Sequence, residues 1–236
     1  IIIAAAVILS ALRFNRTLAL AAALLCAAFL IMPRILIGSA YADMRLAPYL
    51  LALGILAIET KADTSAAFRR GLMAAGLLFF AARTAATTES FRRYDAMVTA
   101  ELGALSQIPR GARVAALLSR GCDGRWMLER RSHIPSIALA RRQAFVNDQF
   151  LLGGAQLLQI RYNAAPTFDR DPSQFITGEA CLRDDWRSFR QAMAALPRDA
   201  FDYIWVIGKP EDERVKYAGL SRVWQYQDSA LYLINR

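Results

Sequence analysis

Residues 17–58 read TLALAAALLCAAFLIMPRILIGSAYADMRLAPYLLALGILAI, two apolar runs on either side of one short polar turn, and the interpretation of that pattern decides the fold. Neither 17–32 nor 46–58 contains a charge; Arg34, Asp43 and Arg45 all sit between them. The same pattern continues on both sides, with apolar runs at 1–12 and at 71–88, the latter interrupted by Arg83. Residues 1–88 hold eight Lys/Arg and three Asp/Glu, nearly all in the turns, whereas the rest of the chain holds 21 and 17, as an ordinary globular surface does.

A hydrocarbon core about 30 Å thick asks for about 20 helical residues, so each run taken alone could be a buried helix of a soluble protein. Four such runs in 88 residues would need a very large soluble core around them. The pattern therefore predicts an α-helical transmembrane bundle of about four spans followed by a small α/β extracytoplasmic domain. Flanking arginines would snorkel to the headgroups where a span is short. The chain opens on Ile1 inside an apolar run, so the first span is expected to be truncated. The expected divisions are a transmembrane region over 1–88, a projecting helix and joint over 89–109, ended by Pro109-Arg110-Gly111, and the α/β domain over 110–236. Arg13, Arg16, Lys61, Arg69 and Arg70 fall in the first and third turns, against Arg34 and Arg45 in the second. The positive-inside rule then puts the first and third turns in the cytoplasm and the C-terminal domain outside it.

Within the α/β domain, residues 112–118 read as a first strand and 183–196 as a helix with Trp186, Phe189, Met193 and Leu196 on one face. Residues 201–208, FDYIWVIG, form the strongest strand signal in the chain. Residues 223–226 and 230–234 flank Gln227-Asp228-Ser229 as a closing hairpin, and the order strand, helix, strand implies a small mixed or parallel sheet. The middle is less regular: 136–140 reads as a strand and 143–159 as mostly helical or mixed.

The formal charge of +9 is spread along the chain and comes from 26 Arg and three Lys, which argues against a nucleic-acid partner. There is no GxGxxG, GxxxxGK[ST] or GxSxG, so no cofactor is assigned. With no CxxC and a single histidine, His133, no metal site is expected. His133 is either a structural turn histidine or a general base, and the second role needs an orienting partner such as Asp148 or Asp169, which sequence cannot bring to it. Cys122 and Cys181 either form a disulfide in an oxidising compartment, closing a loop of roughly 60 residues worth about 4 kcal/mol, or remain free thiols. Tyr41, Asp43 and Arg45 alternate just before the Pro48-bearing span. They are either an interfacial anchor with an internal Asp43–Arg45 pair, or, with Arg34, a site for a lipid phosphate.

The short Ala/Leu-rich spans, the Ala42-Asp43-Met44-Arg45 turn before a Pro-bearing span, and the terminal α/β domain ending in FDYIWVIG and a hairpin together resemble the C-terminal half of bacterial polytopic glycosyltransferases of the GT-C class. That resemblance implies a polyprenyl-phosphate-linked sugar donor at the outer leaflet, membrane lipids as partners, and Arg34 and Arg45 as lipid-phosphate contacts. The family's catalytic carboxylate lies in a first extracytoplasmic loop, to which no residue here corresponds, so the catalytic residues are unassigned. The alternative is a non-enzymatic membrane protein whose outer α/β domain binds a partner or an envelope polymer.

Overall fold

The computed structural model describes residues 11–36, 39–121, 130–151, 157, 159–177, 187–209 and 217–236. The chain divides into two compact units, Ile1–Glu89 and Ser90–Arg236.

In the first unit, β1 (Leu12–Phe14) leads into helix α1 (Arg16–Ile31). Asn15 caps that helix, its side-chain oxygen accepting from the Leu18 N–H at 3.2 Å, and α1 stops at Met32 because Pro33 follows. The turn holds a short antiparallel pair, β2 (Ile35–Leu36) with β3 (Ser39–Ala40), and then a 3-10 turn, Asp43–Arg45. Helix α2 (Ala47–Leu56) starts with a proline in its first turn, where the missing N–H costs nothing, and gives way to β4 (Ile58–Thr60). β4 pairs antiparallel with β1, so the first and third turns meet at one end of the α1–α2 hairpin. Arg13 and Glu59 stand opposite each other in that ladder and form an ion pair at 3.1 Å, and the Asn15 amide donates to Glu59 at 2.9 Å. Helix α3 (Ala66–Glu101) follows.

These lengths overturn the four-span bundle. At 1.5 Å rise per residue, α1 is about 24 Å long and α2 about 15 Å, both short of an apolar core about 30 Å thick. Among the described residues only the helical stretch Ala66–Gln107 is long and apolar enough to cross a membrane, and none of its apolar window is buried. Pro33 and Pro48, and the strand pairing of residues 12–14 with 58–60, cut the apolar runs into pieces too short to span. The expected first span, residues 1–12, lies almost wholly outside the described residues.

The second unit is built on a mixed sheet. β5 (Arg113–Arg120) is its central strand, with β9 (Tyr203–Ile207) parallel on one side and β7 (Phe175–Thr177) parallel on the other. β8 (Arg187–Ser188) extends the sheet past β7, and beyond β9 lies the antiparallel hairpin of β11 (Ser229–Ile234) and β10 (Leu220–Tyr226). The two-residue strand β6 (Phe145–Val146) pairs with the first residues of β5, so β6 and β7 share one edge of that strand. Side chains alternate across β5. Ala115 and Leu117 join Phe168, Ile176, Phe201 and Ile204 under helix α5 (Phe189–Ala195), while Val114, Ala116 and Leu118 join Trp205, Ile207 and Ile108 under helix α4 (Ile137–Arg142). Ser188 and Gln191 form a reciprocal capping box at the start of α5, which fixes that start later than the helix expected from residue 183.

Residues 136–140, expected as a strand, instead enter α4, which Arg141 and Arg142 close against the C-terminal dipole. A short apolar run fits either structure, and this one lies across the sheet as a helical turn. Nor do residues 143–159 form a helix among the described residues; they pass through β6 and continue without regular structure.

Candidate functional site

The membrane-proximal residues singled out by sequence all lie in the first unit. The β2–β3 turn carries the Arg34 guanidinium over the Tyr41 ring, 4.6 Å from its centroid, and both side chains are exposed. The Ala42 N–H donates to the Arg34 carbonyl at 3.1 Å, which closes this turn, and Tyr41 takes a left-handed conformation with φ 59°. Asp43 and Arg45 do not extend from it as an alternating strand. They sit in the 3-10 turn, where residues two apart diverge, and no Asp43–Arg45 ion pair occurs among the described residues. Arg34 with Tyr41 is thus the pairing the structure makes. Cys122 and Cys181 lie outside the described residues, and Cys26 is a free thiol in α1.

Two polar clusters that the sequence did not reveal occur in the second unit, both toward the carboxyl ends of the parallel strands, the usual ligand side of such sheets. The first is an ion cluster. Arg131 donates to Glu101 Oε2 at 3.0 Å, to Asp228 Oδ1 at 3.0 Å and to Ser229 Oγ at 2.7 Å. Ser229 Oγ also donates to Glu101 at 3.0 Å. Burial pushes the Glu101 carboxyl above its ordinary range, against the pull of Arg131, Ser229 and the nearby Trp205, whose indole N–H itself stands outside hydrogen-bonding geometry. For Arg131, burial works against the charge, but the hydrogen bonds to Asp228 and the charge of Glu101 outweigh it. Asp228 holds the β10–β11 turn and its carbonyl accepts from the Lys209 N–H at 2.8 Å, so the cluster joins the end of α3 to the hairpin and to the end of β9.

The second cluster follows β6. Asn147 fills the gap between β6 and β7 on the edge of β5. Its Oδ1 accepts from the Ala116 N–H at 2.6 Å and its Nδ2 donates to the Ala116 carbonyl at 3.2 Å, so an amide side chain stands in for a strand residue. Next to it, Asp148 is fully buried with Oδ2 unpartnered. Burial pushes its carboxyl up to about 6, opposed by Ser136 and by the charge of His133. Thus the structure does bring Asp148 to His133. The contact is made by the backbone: His133 Nδ1–H donates to the Asp148 carbonyl at 3.2 Å. Asp169 instead pairs with Arg170. Gln149 Nε2 donates to Ser136 Oγ at 3.1 Å and to Asp148 Oδ1 at 3.3 Å, linking the buried carboxyl to a cleft of about 260 Å³ between α4, β6 and residues 159–162. No sequence signal pointed to Asn147, Glu101 or Arg131, because the partners that define them are far off in the chain, Ala116 lying 31 residues from Asn147 and Glu101 lying 30 from Arg131.

Among the described residues no group of three or more His, Cys, Asp or Glu side chains could hold a metal ion. Comparisons of the chain with known protein families, with characterised proteins and with solved structures find no match.

Proposed function

We propose that this is a membrane protein of a bacterial inner membrane, glycosyltransferase-like, that engages a polyprenyl-phosphate-linked sugar at the outer leaflet and carries its α/β unit on the extracytoplasmic side. The observation that carries the membrane reading is α3, one helix long and apolar enough to span, with Leu72, Met73, Leu77, Leu78, Phe79 and Phe80 all exposed. A soluble protein rarely leaves so continuous an apolar surface in water. The orientation is supported by the basic residues ahead of the apolar part of α3, Lys61, Arg69 and Arg70, with Arg13 brought near Lys61 by the β1–β4 ladder, against Arg92 and Arg93 after it. In the β2–β3 turn the Arg34 guanidinium, over the Tyr41 ring, is a solvent-facing cation suited to a lipid phosphate. Its partners are then membrane lipids, and the catalytic group is assigned to no residue of this chain.

Two measurements test this. The full chain should stay with the membrane pellet after alkaline carbonate extraction, and protease added to spheroplasts should digest the α/β unit; release into the supernatant, or protection from the protease, would refute membrane anchoring or the orientation respectively. In lipid nanodiscs, Arg34→Ala combined with Arg45→Ala should weaken binding of a polyprenyl phosphate at least tenfold. Unchanged binding removes the lipid-phosphate site while leaving the anchor intact.

A further inference from the structure

The cleft between α4, β6 and residues 159–162 lies in the α/β unit and has no part in membrane anchoring. Its floor is apolar, from Leu139, Val146 and the rings of Phe145 and Tyr162, which pack at 4.4 Å between centroids. Among the described residues its polar lining is mostly neutral amides, Gln143, Gln149 and Gln159, with Arg161 as the one charged side chain among them. An amide offers a donor and an acceptor side by side, as a hydroxyl needs, and an apolar floor suits the C–H faces of a sugar ring.

Two further features point to a ligand. Gln143 ends α4 in a left-handed conformation, φ 51°, a position that favours glycine. A long side chain stands at this strained position, and it lines the cleft. Gln149 has its amide nitrogen engaged by Ser136 and Asp148, while its Oε1 accepts from no described residue and remains for an incoming donor. Tyr162, in turn, is pinned because its hydroxyl donates to the Ala200 carbonyl.

We propose that this cleft binds one pyranose ring of a saccharide, with Gln143, Gln149, Gln159 and Arg161 meeting its hydroxyls. The volume, about 260 Å³, lies just under the range of small-molecule pockets, about 300–1,000 Å³, and admits one ring rather than a length of polymer. Gln143 and Gln159 are exposed and Gln149 is half-buried, and an isoprenoid chain laid over the cleft would take these amides out of water without giving them partners. The cleft is therefore a sugar site independent of the lipid-phosphate contacts.

Calorimetric titration of the full chain in lipid nanodiscs, free of glycoside detergents, tests this with methyl glucoside, methyl galactoside, N-acetylglucosamine and glucuronate as probes. At least one should bind saturably, and Gln143→Gly should weaken it at least fivefold while keeping or raising the melting temperature, since glycine relaxes the left-handed position. Gln159→Ala should weaken the same probe without changing stability. The proposal is overturned if no pyranoside binds, if binding survives both substitutions, or if N-acetyl-leucine amide or farnesol binds the cleft and the sugars do not. Polyprenyl phosphate binding is unaffected by these substitutions, which separates failure here from failure of the membrane site.

Discussion

Replacing Arg131 with Met measures what the buried ion cluster contributes. Arg131 is 8% exposed, and its guanidinium is shared by Glu101, Asp228 and Ser229. Met keeps an apolar stem but supplies no donor, so Glu101, at 0% exposure, keeps only the Ser229 hydroxyl. Removing one partner of a buried ion pair costs about 3–5 kcal/mol, because the other charge stays buried. Asp228, 41% exposed, regains water and adds little. Glu101 can escape part of the cost by taking a proton. Burial already raises its carboxyl, and the substitution removes the main opposing influence, so the folded-state value rises further above the unfolded 4.5. Stability tied to a raised carboxyl is fully present below the unfolded value and is lost as pH rises through the folded one. The penalty is therefore smallest in acid and grows by about 1.4 kcal/mol per pH unit until Glu101 ionises within the fold. Changing both residues, Glu101→Leu with Arg131→Met, removes the stranded charge and should return stability to within about 2 kcal/mol of the parent. Urea denaturation of the full chain in detergent, followed by tryptophan emission at pH 5 and pH 8, gives these differences. A loss under about 1 kcal/mol at pH 8 for Arg131→Met, or a double variant no more stable than the single one, would refute the argument.

Asn147→Leu should cost about 2–4 kcal/mol, since it leaves both the N–H and the carbonyl of Ala116 without partners in the sheet; amide exchange in β5 should speed up accordingly, and unchanged exchange at Ala116 would show that the side chain is not bridging the ladder. Asp148 has its carboxyl pushed up to about 6 from 3.8, so its contribution is present in acid and is lost as pH rises toward and through about 6, on the order of 3 kcal/mol in all. Asp148→Asn should flatten that part of the stability-versus-pH curve and stabilise the protein at pH 8; a melting profile that keeps the parent's slope between about pH 4 and 6 would assign it to another group.

The parts of the fold that sequence disclosed are those where one short segment determines its own structure. Residues 201–208 hold β9 because Tyr203, Ile204, Trp205, Val206 and Ile207 are aromatic and β-branched residues that fit a pleated, buried surface, and Gly208, at φ 73°, then turns the chain out of the sheet. The hairpin about Gln227 and Asp228 was legible for the same reason. Apolar content alone could not set the number of spans, because helix length is cut by local events: Pro33 ends α1, and the pairing of Leu12 with Thr60 converts the ends of two runs into strands. Residues 136–140 illustrate the same ambiguity inside the α/β unit, where a short apolar run forms the helix that buries Ala138 just ahead of β6.

The candidate sites separate along the same line. Arg34 and Tyr41 were visible because they are close in sequence and their chemistry acts at short range. His133 was visible only as a lone histidine, and its meaning depended on Asp148, which β6 delivers 15 residues later. Asn147 shows why such partners escape a reading of the sequence. Nothing in Val146-Asn147-Asp148 marks a strand surrogate, and the requirement arises only because β6 and β7 are both too short to cover the edge of β5 between them. The buried carboxyl at Asp148 then follows from geometry: a side chain one position past that bridge is turned to the opposite side, into Ser136 and Gln149, and reaches the cleft only through the glutamine amide. A carboxyl is therefore held inside by a two-residue strand, and the cleft beside it takes its amides from the cap of α4 at Gln143, from Gln149 just past β6 and from Gln159.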